Sequence, residues 1–256
     1  DVIPAEPMDV QQTDIEIPPA DPLEMQNDAN DSSTGTIRGE IENGTPGGTV
    51  PANLEVNLIA SDGQALVFSS TTMVDKNGKF TFEDVELALG RIYLTYVDYQ
   101  DVRYVSDALH ILEEDTKLDL SLEIFETTED DSGLYVKRLH LIFDLVAEDQ
   151  IGVTQVWVVH GPEDRAVVEG ENDGVIDVRL PAGFSNLGID GSVSPEGRYL
   201  LSNSGFIDRA PVQPGKFVEL VFNFNLPYQT DYDFLQSLMY PVDAVVIMLV
   251  NEEISI

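Results

Sequence analysis

The chain has 256 residues, 43% of them hydrophobic, with 47 Asp and Glu against 13 Lys and Arg, a formal charge of −34. That length and apolar content predict about two cores rather than one, and the acidity excludes nucleic acid as a partner, because binding phosphates requires clustered Lys or Arg. With no Cys there is no disulfide, thiolate nucleophile, zinc–thiolate site or iron–sulfur cluster, and no run of 18 or more apolar residues exists to insert in a membrane.

Residues 1–34 form an extended, Pro-rich acidic segment. It carries nine acidic residues, no Lys or Arg, and prolines at 4, 7, 18, 19 and 22. So little apolar surface cannot offset its own ordering entropy, so the segment takes a fixed shape only against another surface. Val10, Ile15 and Ile17, among polar neighbours, make a short strand-like stretch. One use of such a stretch is subunit contact, completing the open sheet edge of a neighbour; the other reading is an acidic linker to a membrane or wall anchor. The first residue is Asp1 rather than Met, which points to a removed leader and to an extracytoplasmic, secreted or cell-surface protein. The apolar run Val245–Val250 close to Ile256 leaves room for a later anchor.

From residue 35 the pattern turns to period two, that of half-buried strands. Thr36–Glu42, Leu54–Ala60, Ala65–Met73, Lys79–Phe82, Ile92–Tyr96, Val102–Val105 and Leu118–Ile124 give about seven strands. The alternation places Leu54, Val56, Leu58 and Ala60 on one face, and likewise Ile92, Leu94 and Tyr96. Asn43-Gly44, Pro46-Gly47-Gly48, Asp62-Gly63 and Asn77-Gly78 supply turns, being residues that accept positive φ cheaply.

Within this stretch, Gly35-Thr36-Ile37-Arg38-Gly39, Asp75-Lys76-Asn77-Gly78-Lys79-Phe80-Thr81-Phe82 and Gly90-Arg91-Ile92-Tyr93-Leu94 resemble the carboxypeptidase regulatory-like domain over about residues 35–127. The resemblance implies a transthyretin-type β-sandwich used for spacing, stabilising or binding, with no catalytic residues to carry over.

The second half again reads as strands. Tyr135, Lys137, Leu139, Leu141, Phe143 and Leu145 take one face of a long strand, and Val136, Arg138, His140, Ile142 and Asp144 the other. Val153–His160 is apolar on both faces, as expected of a central strand covered twice. Val218–Leu226 alternates between core and wetter positions, and Val175–Leu180, Arg198–Leu201 and Ala244–Val250 complete a set of seven to nine strands. Tyr232–Met239, between Pro227 and Pro241, reads as a short helix. The motifs Phe125-Glu126-Thr127-Thr128, Arg138-Leu139-His140, Leu180-Pro181-Ala182-Gly183, Gly205-Phe206, Pro214-Gly215 and Leu226-Pro227-Tyr228 make this half similar to the second β-domain of uncharacterised surface proteins of filamentous green bacteria. The expected fold is therefore all-β: two tandem β-sandwich domains, 35–128 and 129–256, behind the acidic segment.

Candidate sites are few. His110, His140 and His160 fall in different elements without metal-binding spacing, and Arg138, His140 and Asp144 read as a polar patch on one strand face. Asp75-Lys76-Asn77-Gly78 has the opening spacing of a calcium loop, but Phe80–Val85 runs away as a strand, so Glu86 cannot return to it and an Asn-Gly turn remains. Glu169, Glu171, Asn172, Asp173 and Asp177 crowd hard oxygen donors into nine residues and form the candidate for a weak calcium site, with a solvated loop as the other reading. No other cofactor is called for. Tyr93, Tyr96, Tyr99 and Tyr104 concentrate in one hairpin, as core and cross-strand pairs or, with Trp157, as surfaces for carbohydrate stacking. The sequon Asn43-Gly44-Thr45 belongs to an exposed loop on this reading.

These features point to a non-enzymatic structural protein. The expected partner is another copy of itself, in a surface filament, lattice or adhesive assembly, or another surface protein. The alternative is a binding module or accessory subunit of a membrane-associated complex, docking through the Tyr-rich strands.

Overall fold

The computed structural model describes residues 32–111, 117–170, 174–190, 197–228 and 233–250. The fold is all-β. In chain order the strands are β1 (Ser32–Asn43), β2 (Glu55–Asp62), β3 (Ala65–Met73), β4 (Lys79–Ala88), β5 (Ile92–Tyr99), β6 (Val102–Val105), β7 (Leu109–His110), β8 (Lys117–Asp119), β9 (Leu122–Ile124) and β10 (Thr127–Thr128). The second half adds β11 (Tyr135–Ala147), β12 (Gln150–His160), β13 (Ala166–Val167), β14 (Ile176–Arg179), β15 (Ser185–Asp190), β16 (Tyr199–Ser202), β17 (Gly205–Asp208), β18 (Phe217–Pro227) and β19 (Val245–Leu249).

In the first body, β1 is flanked by β4 on one side and by β8 and β9 on the other, and this sheet faces a second of order β3-β2-β5-β6 with β7 beside β5. Ile37 and Ile41 of β1, Phe80, Phe82, Val85 and Leu87 of β4, Val56 and Leu58 of β2, Tyr93 and Val97 of β5, and Tyr104 of β6 fill the space between them. Strand β1 begins at Ser32, so Ser32–Thr34, which the sequence reading gives to the acidic segment, pair with Ala88–Glu86.

The turn before β4 is the Asn-Gly turn that the sequence predicts. Asp75 Oδ1 accepts hydrogen bonds from the backbone N–H of Asn77 (2.7 Å) and Lys79 (2.9 Å), and Gly78 takes φ +78°. These N–H donors, Lys79 first, hold the Asp75 carboxyl below its usual range.

Two readings of strand faces are corrected. On β5 the buried face is Tyr93, Thr95 and Val97, while Ile92, Leu94 and Tyr96 are half-exposed outside. The segment is apolar at nearly every position, so period alone does not choose a side. Tyr93 turns inward because its hydroxyl donates to Glu86 O (2.7 Å) and accepts from Ala88 N–H (3.2 Å), and Thr95 Oγ1 reaches Leu120 O (3.4 Å). On β11 an irregularity between Val136 and Arg138 inserts one residue against β12. A bulge shifts facing by one position, so Val136 joins Leu139 and Leu141 in the core.

The second body is a five-stranded sheet of order β15-β18-β12-β11-β19 facing a three-stranded sheet β14-β17-β16. Trp157 is fully buried between them with Phe206, Phe222 and Phe224. Strand β12 is central, but its outward residues Val156, Val158 and His160 are half-buried rather than covered by a second layer. Polar groups inside this core are satisfied. Trp157 Nε1 donates to Gln155 Oε1 (2.9 Å), Gln155 Nε2 to Gln236 Oε1 (2.6 Å), and Gln236 Nε2 to Arg179 O (2.8 Å). Buried Asp208 accepts both forks of Arg198 at 2.8 and 2.7 Å.

The short helix expected over Tyr232–Met239 is not formed: Asp233–Leu238 carry no regular structure, and Tyr232 lies outside the described residues. Tertiary contacts fix this segment instead, through Phe234 against Phe143 and the two hydrogen bonds of Gln236. Among the described residues the one helical element is a 3₁₀ turn, Asp131–Gly133, capped by Asp130 Oδ1 accepting from Ser132 N–H at 3.0 Å.

The bodies meet along one seam inside a single compact unit that begins at Ser32. Strands β10 and β13 pair in parallel, and Val167 also bridges Val212. Ala166 is buried in the first core and Val168 packs against it, whereas Val167 is buried in the second. Three consecutive residues of extended chain thus alternate between two interiors.

One close backbone approach is at Gly39. A Cβ there would lie 2.3 Å from both Leu120 O and the Phe80 ring. Because this is a backbone oxygen, in the link between β8 and β9 where Leu120 N–H bonds Arg38 O (2.7 Å), it cannot give way as a side chain could. Gly39→Ala should lower stability by about 3 kcal/mol, read as a reduced urea midpoint with unchanged m-value.

Candidate functional site

Tyr104 and Tyr93 are core residues. Burial pushes the Tyr104 hydroxyl up to about 12 despite its hydrogen bond to Phe125 O at 2.9 Å. Tyr96 has the Arg103 guanidinium 4.3 Å from its ring centroid, and Arg103 is also paired with Asp98.

Tyr99 belongs to the seam. Its hydroxyl donates to Glu126 Oε1 (2.9 Å), to which Asn43 Nδ2 also donates (3.0 Å), while Gln100 Nε2 donates to Glu126 Oε2 (2.6 Å). Thr45 Oγ1 accepts from Glu126 N–H (2.9 Å) and donates to Asp164 O (2.6 Å). Burial pulls the Glu126 carboxyl upward, but the hydrogen bonds from Tyr99, Gln100 and Asn43, with Arg165 nearby, bring it below its ordinary value. The sequon reading is corrected by the same contacts. Thr45 is buried and the Asn43 amide is spent on Thr49 O and Glu126.

The carboxylates expected to hold calcium are placed as follows. Glu169 is gripped by Arg209 through two hydrogen bonds of 2.9 Å, and Asp177 pairs with Arg179 at 3.1 Å. Glu171 and Asp173 lie outside the described residues. Among the described residues no three His, Asp or Glu side chains converge as a metal site. Arg138, His140 and Asp144 share the outward face of β11, opposite Val158, Val156 and Gly152.

A cavity of about 500 Å³ opens beside the 3₁₀ turn, lined by Asp131, Ser132, Asp177, Arg179, Ile207 and Tyr240 among others. Asp177 and Arg179 are paired with each other, and the Tyr240 hydroxyl is engaged as well. The Tyr240 hydroxyl accepts from Asp177 N–H (2.8 Å) and lies 3.3 Å from Val175 O, as its donor, and burial raises its pKa.

The feature that stands apart is β19. It pairs in parallel with β11, Leu139 opposite Val245, Leu141 opposite Ile247 and Phe143 opposite Leu249. Among the described residues no strand lies on its other side. Leu139 and Leu141 are core residues, so Val245 and Ile247 share the core-side face, yet they are 50% and 49% exposed. The reason is a mismatch of widths, since five strands face three. The segment Asp233–Tyr240 covers part of the difference through Phe234, edge-on to Phe143 at 5.2 Å, and leaves Leu235, Leu238 and Met239 exposed. On the outward face, Val246 and Met248 are also exposed. Val245–Val250 contains no charge and no Pro, the devices by which edge strands are ordinarily kept from pairing. Sequence reading finds this run but not its position at an open edge. The proposed donor residues Val10, Ile15 and Ile17 lie outside the described residues.

No family model and no curated protein matches the chain. Among solved structures, the major pilin SpaD of Corynebacterium diphtheriae overlaps at 11% identity and TM-score 0.25, covering 75% of this chain and 58% of the pilin. The major pilin SpaA of the same organism, described as pointing to a modular pilus assembly with stabilizing isopeptide bonds, gives 10% identity and TM-score 0.25 over the same shares. The Bacillus anthracis TIE protein gives 11% and 0.24, covering 85% of this chain and 50% of that one. The chain thus spans about half to three-fifths of these proteins' lengths, and overlaps this low carry no argument about its role.

The seam should show in the pH dependence of stability. Glu126 is depressed in the folded state, so it stabilises above the ordinary glutamate range, and that contribution is lost as pH falls through its folded value. Thermal melting of Glu126→Gln beside the unsubstituted chain, from neutral pH to about pH 3, should give a difference that is largest at neutral pH and shrinks in acid.

Proposed function

We propose that this chain is a non-enzymatic structural subunit that assembles outside the cytoplasm with copies of itself, and that β19 is the acceptor edge. The acidic segment of a neighbouring copy, through the stretch Val10–Ile17, adds the next strand. A single observation carries this reading: among the described residues an uncharged apolar strand is left open on its edge and both faces, in a chain whose formal charge is −34. An added strand satisfies the free backbone groups of the edge and covers Val245 and Ile247, which already face the core side. Its non-enzymatic character is supported by the engagement of the titratable groups: Asp62, Asp98, Asp177, Asp208 and Glu169 are each paired with arginine. The alternative of a binding module docking through Tyr-rich strands is less well supported, because Tyr93 and Tyr104 are buried and Tyr99 is engaged in the seam.

Copies of such charge repel at long range, so association should strengthen as salt shortens the Debye length from ~30 Å at 0.01 M to ~8 Å at 0.15 M. Sedimentation velocity over a concentration series at the higher salt should show oligomers, and Ile247→Lys should weaken association by about tenfold or more, equal to ~1.4 kcal/mol. A chain that stays monomeric throughout, or an Ile247→Lys variant that assembles unchanged, overturns the reading.

A further inference from the structure

Outward from the core, the five-stranded sheet carries a feature that strand addition does not use. Tyr135, His160 and Phe217 stand opposite one another on β11, β12 and β18. Their rings stack across the three strands, Tyr135 to His160 at 5.6 Å and 25°, and His160 to Phe217 at 6.0 Å and 30°. Phe217, at the end of the row, is 59% exposed. Basic groups surround the stack. Lys137 Nζ is 5.9 Å from the Tyr135 ring centroid, Arg138 and His140 follow on the outward face of β11, and Lys216 immediately precedes Phe217.

Elsewhere Lys79, Arg91, Arg103, Arg179, Arg198 and Arg209 are tied to carboxylates of the same body. Here Lys137 is shared with Asp243 at 3.1 Å, and Arg138 and Lys216 make no ion pair among the described residues. Glu219, in the Arg138 row, and Asp144, further along β11, are the acidic residues on this face of the three strands. Three of the chain's 13 Lys and Arg and two of its three His therefore gather at one end of one sheet.

We infer that this patch is the docking site for the acidic leader, residues 1–31, of a neighbouring copy. The argument is complementarity of two kinds. The leader has nine acidic residues and no basic one, matching Lys137, Arg138 and Lys216, and its prolines 4, 7, 18, 19 and 22 match an exposed aromatic row, since Pro-rich chain binds aromatic surfaces with little loss of conformational freedom. Reach is ample, because 31 extended residues span up to ~100 Å. The position is also suitable: the patch lies at the start of β19, where Val242 bridges Val136 and Val245 pairs with Leu139. A leader whose Val10–Ile17 runs along β19 brings one of its flanking proline groups to the stack. The inference rests on the assembly reading and adds the surface that selects the leader.

Carbodiimide coupling of the full chain tests it, with ¹⁴N- and ¹⁵N-labelled copies mixed in ~0.15 M salt, where charges more than ~8 Å apart are screened. Mass spectrometry should find Lys137 and Lys216 joined to carboxylates of residues 1–31 in mixed-label pairs. Lys137→Glu with Arg138→Glu should reduce the Lys216 adducts at least tenfold, and so should a leader whose prolines 4, 7, 18, 19 and 22 are replaced by Ser, which keeps all nine carboxylates available for coupling. That second variant leaves the folded body untouched, so its result does not depend on tolerance of the first. Oligomers that form while these lysines couple elsewhere, or not at all, overturn the inference and leave the β19 reading standing. Adducts found only within one label place the leader on its own body and overturn the neighbour. A chain that never associates removes both.

Discussion

The architecture depends on one short piece of extended chain that belongs to two interiors at once. Ala166 and Val168 lie with the first core and Val167 with the second. Because alternate residues of a strand point to opposite sides, no rotation of this segment can release one side without withdrawing the other. Hydrogen bonds from Ala166 N–H to Glu126 O and between Val167 and Val212 hold the strand on both edges, and the polar groups around Glu126 close the gap where the bodies meet. A further bond, from Gln213 Nε2 to Arg103 O at 3.0 Å, crosses between them. The seam is therefore a stiff connection rather than a linker.

Much of the strand pattern was legible before the structure, because period-two alternation reports directly on half-buried sheet. It worked best where apolar and polar residues alternate cleanly, as along Val56–Ala60 and Leu220–Leu226. It misled where both faces carry apolar side chains. On β5 the side facing inward was decided by partners for the Tyr93 and Thr95 hydroxyls, Glu86 and Ala88 at the end of β4 and Leu120 beyond β8, which strand periodicity does not report. On β11 one inserted residue carried Val136 across to the other face. Asp233–Leu238 has a composition that suits a helix, yet the chain is laid flat by Phe143, Gln155 and Arg179. The seam itself has almost no local signature: nothing in Ala166-Val167-Val168 distinguishes it from any other short apolar run.

The candidate site was readable only in part. The uncharged run Val245–Val250 is plain in the sequence, but an edge strand and a central strand look alike until neighbours are known. What makes β19 an edge is a difference in width between two facing sheets, a property of topology alone. The same holds for the aromatic row. Tyr135, His160 and Phe217 are spread over more than eighty positions and come together through antiparallel register. Charge shows a comparable division. The excess of carboxylates is visible at once, whereas the arginines that neutralise Asp208, Asp62 and Glu169 are identified only by geometry.

The parallel pairing of β19 with β11 also bears on how the molecule is made. Leu139 and Val245 are separated by roughly a hundred positions, so their contact closes a long loop, whereas β11 and β12 join through a tight hairpin. Contacts of that separation form late, after the local hairpins have paid their smaller entropic cost. Strand β19 is thus among the last pieces set in place. Under the assembly proposed above, a half-finished chain would have no ordered rail on which a neighbour could dock, and polymerisation would wait for completion of the fold.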